Sequence, residues 1–233
     1  MSDRDASTPR VFLARHGETE WTINGRYTGI TELELTSRGE KQVLGTGRRL
    51  VGPGKLIDPV QLERVFVSPR KRARKTFELL FGADSELAAL EKVEFTEDIA
   101  EWGYGAYEGL LGEEIIARRK EQGLDIERPW DIWNDGCEGG ESSEQATERL
   151  DGLINRIRDI QRPYMHGEKP VDIVLVAHGH ILRAFTKRWL GIPMGSPLGM
   201  MLPPGGIGVL SYEEHDISAP AFLVGIALPL EEG

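Results

Sequence analysis

Three short apolar runs, each broken off by a basic segment, constrain this chain more than anything else in it. VFLA (11–14) runs into Arg15-His16-Gly17-Glu18, VFV (65–67) into Ser68-Pro69-Arg70-Lys71-Arg72, and IVLVA (173–177) into His178-Gly179-His180. Each run is too short for a helix, rich in β-branched or aromatic residues, and apolar on both faces. That is the pattern of a strand covered from both sides, as in a parallel sheet packed between helices. Helical periodicity lies between the runs. Residues 36–51 open at Thr36 as N-cap, carry Val43, Leu44 and Leu50, and stop at Gly52-Pro53. Residues 70–81 place Ala73, Phe77 and Leu80 on one helical face. Residues 142–160 do the same with Ala146, Leu150, Leu153, Ile154 and Ile157, capped by Ser142 or Ser143, and a fourth helix follows over 181–190. Residues 208–212 and 221–227 read as further strands. The alternation of strand and helix predicts an α/β sandwich with a largely parallel sheet.

With 233 residues, one compact domain over 1–233 is the expectation, and its core is large enough to need no staple. The stretch over roughly 99–140 breaks the rhythm. It carries Trp102, Trp130 and Trp133 and the basic piece IIARRKEQG, and is expected to fold as a cap over the sheet edge. The single cysteine, Cys137, excludes an intramolecular disulfide and a cysteine-rich zinc site. The polar start MSDRDASTPR is not that of a signal peptide, and no apolar run approaches the roughly 18 residues of a membrane span. A soluble, cytoplasmic protein is expected. A formal net charge of −10 argues against a nucleic-acid partner, whose phosphates demand basic surface. It leaves room for a small anion in a locally positive pocket. Oligomeric state stays open, a homo-oligomer included. Met200, Met201 and Leu202 are read as core, pocket wall or interface.

Ligands of open α/β sheets bind beyond the carboxyl ends of the strands. Parallel alignment of the three runs therefore brings His16, His178 and one or more arginines to one edge, with Gly17 and Gly179 allowing sharp turns and close backbone approach. Each piece has a plainer reading. Arg15-His16 alone is a solvated pair, and Arg70, Lys71, Arg74 and Lys75 largely an exposed helix face. His178-Gly179-His180 is a polar turn, or a metal site that neighbouring arginines disfavour. Convergence lifts the combination: two imidazoles among guanidinium groups suit a phosphoryl group.

In this order, the run Arg15-His16-Gly17-Glu18-Thr19-Glu20-Trp21, the Ser68-Pro69-x-x-Arg72-Ala73 segment, Glu101 in EWGYGAYEG, and His178-Gly179-His180 resemble the histidine phosphatase superfamily, the phosphoglycerate mutase-like group. The resemblance implies a three-layer α/β/α sandwich without metal or other cofactor. It implies that His16 is transiently phosphorylated, and that Arg15, Arg72, His178 and Gly179 hold the phosphoryl oxygens. Glu101 would protonate the leaving oxygen. Neighbouring arginines would keep the nucleophilic imidazole neutral, and desolvation under Trp102 and Tyr104 would favour a protonated Glu101. Tyr104, Thr22, Thr28 and Gly29 are carried over as substrate-binding candidates. Thr22 stands where many members have Asn, and is expected still to donate one hydrogen bond.

The excursion, from EWGYGAYEG to NDGCEGGES, and the later GGIGVLSY are similar to the branch that includes yeast-type sedoheptulose-1,7-bisphosphatases. That likeness implies a small sugar phosphate or bisphosphate, for which Arg183, Arg118 or Arg119 would offer a second cationic contact. The segment 191–205 is shorter than in that branch, which leaves the substrate open. Three rivals stand beside the metal-independent phosphatase: a phosphoglycerate-type mutase, a catalytically idle phosphate-binding relative, and other chemistry on a phosphate-free metabolite.

Overall fold

A computed structural model describes residues 5, 7–82 and 91–224. Six strands form one sheet: β1 (Val11–Arg15), β2 (Leu62–Val67), β3 (Val93–Phe95), β4 (Asp172–Ala177), β5 (Ile207–Tyr212) and β6 (Pro220–Phe222), in the order β3-β2-β4-β1-β5-β6. The four strands β3, β2, β4 and β1 run parallel, while β5 and β6 are antiparallel to their neighbours. The three apolar runs are the three central strands, and β4 is buried along its whole length. The three-residue edge strands are half-exposed, and short edges offer little template for further pairing.

Helices cover both faces. On one, α2 (Ser37–Leu50) packs on α3 (Lys71–Phe81), enclosing Phe12, Val65, Val67, Val174 and Val176. On the other, α6 (Ser143–Gln161) packs on α7 (Gly179–Trp189), over Leu13, Phe66, Ile173 and Leu175. Local chemistry fixes two of the starts. Thr36 accepts from the Gly39 amide, and Ser142 forms a reciprocal capping box with Gln145.

The excursion carries α4 (Gly112–Glu121) and α5 (Ile132–Asp135). Its Trp102, Tyr107, Ile115 and Ile132 enter the same apolar cluster as the second sheet face, so it is stitched to the core. Two expectations need correction. β6 is three residues, not the run over 221–227, whose last three residues lie outside those described. β3 was not expected, because VEF is too short and too exposed to show a period. Among the described residues no helix is long and apolar enough to cross a membrane.

Candidate active site

Strand register assembles the site. Arg15 pairs with Ala177, so His16 and His178 emerge side by side, their rings 5.1 Å apart. Val67 pairs with Val176, which sets Ser68 beside them. Because β5 runs antiparallel, its entry loop reaches the same edge. The Gly205 amide donates to the carbonyls of Arg15 and His16 (3.1 and 3.0 Å).

His16 is only 4% exposed, and its Nδ1 lies 2.7 Å from the Gly17 carbonyl. A carbonyl only accepts, so Nδ1 carries the proton and a neutral ring leaves its lone pair on Nε2. The ring is neutral because its pKa is pushed down to about 3. Burial is the largest cause, followed by the Arg72 guanidinium, with Arg15 contributing less. The arginines act in the expected direction, but desolvation leads.

Arg72 and His178 are both fully buried and lie deeper than the cleft wall. Arg72 donates from Nε to His178 Nδ1 (3.0 Å), from Nη1 to the Thr31 carbonyl, and from Nη2 to the carbonyls of Thr28 and Gly29 (2.9 Å each). His178 therefore donates from Nε2 to Ser68 Oγ (2.7 Å). Glu108 holds the 28–31 loop from the cap side, accepting from the amides of Gly29 and Thr31 (2.9 Å). Gly29 is required here, since a Cβ would sit 2.8 Å from both Glu108 Oε2 and the Trp102 carbonyl. Its amide and carbonyl are both engaged within the protein, and it does not line the cleft.

In front of this frame opens a cleft of about 600 Å³, lined by Arg15, His16, Thr22, Arg26, Tyr27, Thr28, Glu101, Tyr104, Gly179, His180, Arg183 and the wall Met200-Met201-Leu202-Pro203. Arg15 donates from Nη1 to the Leu202 carbonyl (2.8 Å), while its buried Nε has no partner among the described residues. Gly179 admits this guanidinium: a Cβ there would lie 3.3 Å from Arg15 Cζ. Glu101, 9% exposed, caps the start of α7. Its Oε1 accepts from the amides of Trp102 (3.0 Å) and Ile181 (2.9 Å), and its Oε2 from that of His180 (3.2 Å).

The lesser candidates divide. Arg183 reaches the cleft and donates to the Met200 carbonyl (3.0 Å). Arg118 and Arg119 do not reach it: the first turns to the Ala106 carbonyl and Glu138, the second to Asp125 and Tyr107. Thr22 lines the cleft, but its hydroxyl already donates to the Thr19 carbonyl (2.8 Å) within the capping box of α1 (Glu20–Asn24). The donor expected of it is taken. Thr28 donates to the Arg26 carbonyl. The methionine segment proves to be pocket wall. Sequence reasoning missed Tyr27, Arg26 and His180 as lining residues, and Glu108 as the brace behind them. Only His180 carried a signal, its place beside His178. Among the described residues no group of three or more His, Cys, Asp or Glu is placed to hold a metal.

Known proteins resemble this chain over most of its length. The family model described as histidine phosphatase superfamily (branch 1) matches residues 11–222. Sedoheptulose 1,7-bisphosphatase of Saccharomyces cerevisiae is 39% identical over 92% of this chain and 91% of its own length. An acid phosphatase of Mycobacterium tuberculosis is 35% identical over the same shares. The solved structure of an open reading frame of Mycobacterium tuberculosis, 32% identical, superposes with a TM-score of 0.70 and covers 93% of this chain and 96% of its own.

Proposed function

Since this chain belongs to the histidine phosphatase superfamily and is a phosphatase, we propose that it hydrolyses a small sugar phosphate or bisphosphate, such as sedoheptulose 1,7-bisphosphate, through a phosphohistidine on His16. The observation that carries the reading is the buried, neutral His16, whose Nδ1–H is held by the Gly17 carbonyl so that Nε2 keeps its lone pair. Nε2 attacks phosphorus in line, the N–P bond forms, and the ester P–O bond breaks. Glu101 passes a proton to the departing alkoxide. Its Oε1 accepts two amides and Oε2 only one, so Oε2 is the oxygen with room for that proton. Water then attacks the phosphohistidine, gives its proton back to Glu101, and releases phosphate with a neutral imidazole.

Charge on the transferred group is met by Arg15, whose buried Nε–H stands unpaired, and by Arg72, which keeps one N–H beyond its four protein bonds among the described residues. To reach the phosphoryl group the Nε2–H of His178 would turn from Ser68 Oγ, and the Gly179 amide on the cleft lining joins it. Phosphoryl transfer asks mainly for positioning and charge stabilisation, which these fixed cations supply without a metal. The test is phosphate release from a panel of sugar phosphates and bisphosphates with chelator present. His16→Ala is expected to lower release at least about 1,000-fold. Substantial residual turnover in that variant overturns the assignment, and phosphoryl return to substrate faster than phosphate release would make the protein a mutase.

A further inference from the structure

His180 has no part in the chemistry above, yet its imidazole on the cleft wall is framed by three aromatic rings. It stacks on Tyr27 (centroids 5.3 Å apart, planes 25° apart) and meets Tyr104 and Trp133 edge-on at 5.8 and 5.6 Å. Nδ1 lies 2.6 Å from the Tyr104 hydroxyl. Tyr104 is buried, and its phenol is held well above its usual pKa, chiefly by desolvation, so the O–H proton is present and needs an acceptor. Among the described residues the acceptor it has is Nδ1. The imidazole is neutral, because burial lowers its pKa against the opposing charge of Glu101. A neutral ring that accepts at Nδ1 carries its proton on Nε2. Nε2 has no protein partner among the described residues, and it is not one of the fully enclosed polar atoms left unpaired. It meets the open space of the cleft.

We propose that His180 is a specificity-determining residue whose Nε2–H, fixed by Tyr104 and the surrounding rings, donates to an oxygen of the leaving group and so selects polyhydroxylated alcohols over apolar ones. The inference rests on the phosphatase reading and refines its substrate class. Placement supports it. The backbone amide of His180 already holds Glu101, so the side chain stands beside the group proposed to protonate the leaving oxygen. The Met200 to Pro203 part of the cleft lining is apolar and offers no competing side-chain donor. A site built to hydrogen-bond a substrate oxygen discriminates strongly against analogues that lack it, because its own polar group is then left unpaired.

The experiment compares fructose 1-phosphate with 4-nitrophenyl phosphate in wild type, Tyr104→Phe, His180→Phe and the double variant. His180→Phe keeps the ring stack and removes the donor. The double variant also removes the phenol that the single one would strand, so a folding defect in the single variant leaves the question answerable. In the double variant, kcat/KM for the ketose phosphate relative to the aryl phosphate is expected to fall at least tenfold, mainly through KM. Tyr104→Phe, which frees the tautomer, moves the ratio less in the same direction. Parallel loss on both esters, or an unmoved ratio, overturns the inference while leaving the phosphatase reading intact. A wild type that releases phosphate from neither ester, nor from any ester of the wider panel, overturns both.

Discussion

At the scale of single residues, function depends on groups made neutral or rigid by their surroundings. His16 stays unprotonated because it is buried, and Arg72 is aimed because three carbonyls and one imidazole leave it no other orientation. Gly29 makes that aim possible. Gly29→Ala forces a Cβ against the Glu108 carboxylate and the Trp102 backbone, an overpacking that costs about 1–3 kcal/mol. Urea denaturation should show that loss together with a fall in kcat, since the carbonyls holding Arg72 move with the loop. A variant of wild-type stability and turnover would show the contact to be slack. Thr22 teaches the converse. A hydroxyl that looks free in the sequence is engaged by its own helix cap.

At the scale of elements, β4 leads into α7 with only His178 between them, so the helix start lies at the sheet edge. Its first turn holds Glu101 through two amides and admits the Arg15 guanidinium over Gly179. Gly179→Ala fits the backbone, because this position needs no left-handed conformation, but a Cβ 3.3 Å from Cζ makes the guanidinium give way by a few tenths of an ångström. The expected result is near-normal thermal stability with KM for phosphate esters raised about tenfold, equivalent to about 1.4 kcal/mol. An unchanged KM would remove Arg15 from phosphate binding. The excursion belongs to the same frame: its Glu108 accepts from the 28–31 loop whose carbonyls hold the Arg72 guanidinium.

At the scale of the molecule, two buried histidines and a half-buried third at one site make stability depend on pH. His16, His178 and His180 all have pKa values lowered chiefly by burial, His16 to about 3. In the unfolded chain each takes up a proton near pH 6.5. Below that value the unfolded state binds more protons than the folded one, so stability falls on acidification and is level above it. Each histidine contributes a slope of about 1.4 kcal/mol per pH unit between its two pKa values. Asp172, raised by burial, works in the opposite direction with one proton. Chemical denaturation between pH 5 and 7.5 should show the decline setting in below about 6.5, and His16→Asn should reduce its steepness. A flat profile over that range would contradict the burial of these imidazoles.

The sequence by itself determined the central strands, the cappable helices and the convergence of Arg15, His16, Arg72 and His178 at one sheet edge, because periodicity and the basic segments after each strand encode them locally; Glu101 entered only through the family resemblance. The direction of β5 was decided only by the tertiary structure. That direction turned Met200–Pro203 into a cleft wall by pairing Ile207 with Ala14 across 193 residues of chain. The orientation of His180 belongs to the same class, since its Tyr104 partner lies 76 residues away. So does the fate of the cap arginines: Arg118 and Arg119 look equivalent to Arg183 as cations, yet acceptors brought close by folding of the cap hold them away from the cleft. Hydrogen-bond partners remote in sequence leave no periodic trace, so burial and pairing at such positions are settled when the chain closes on itself.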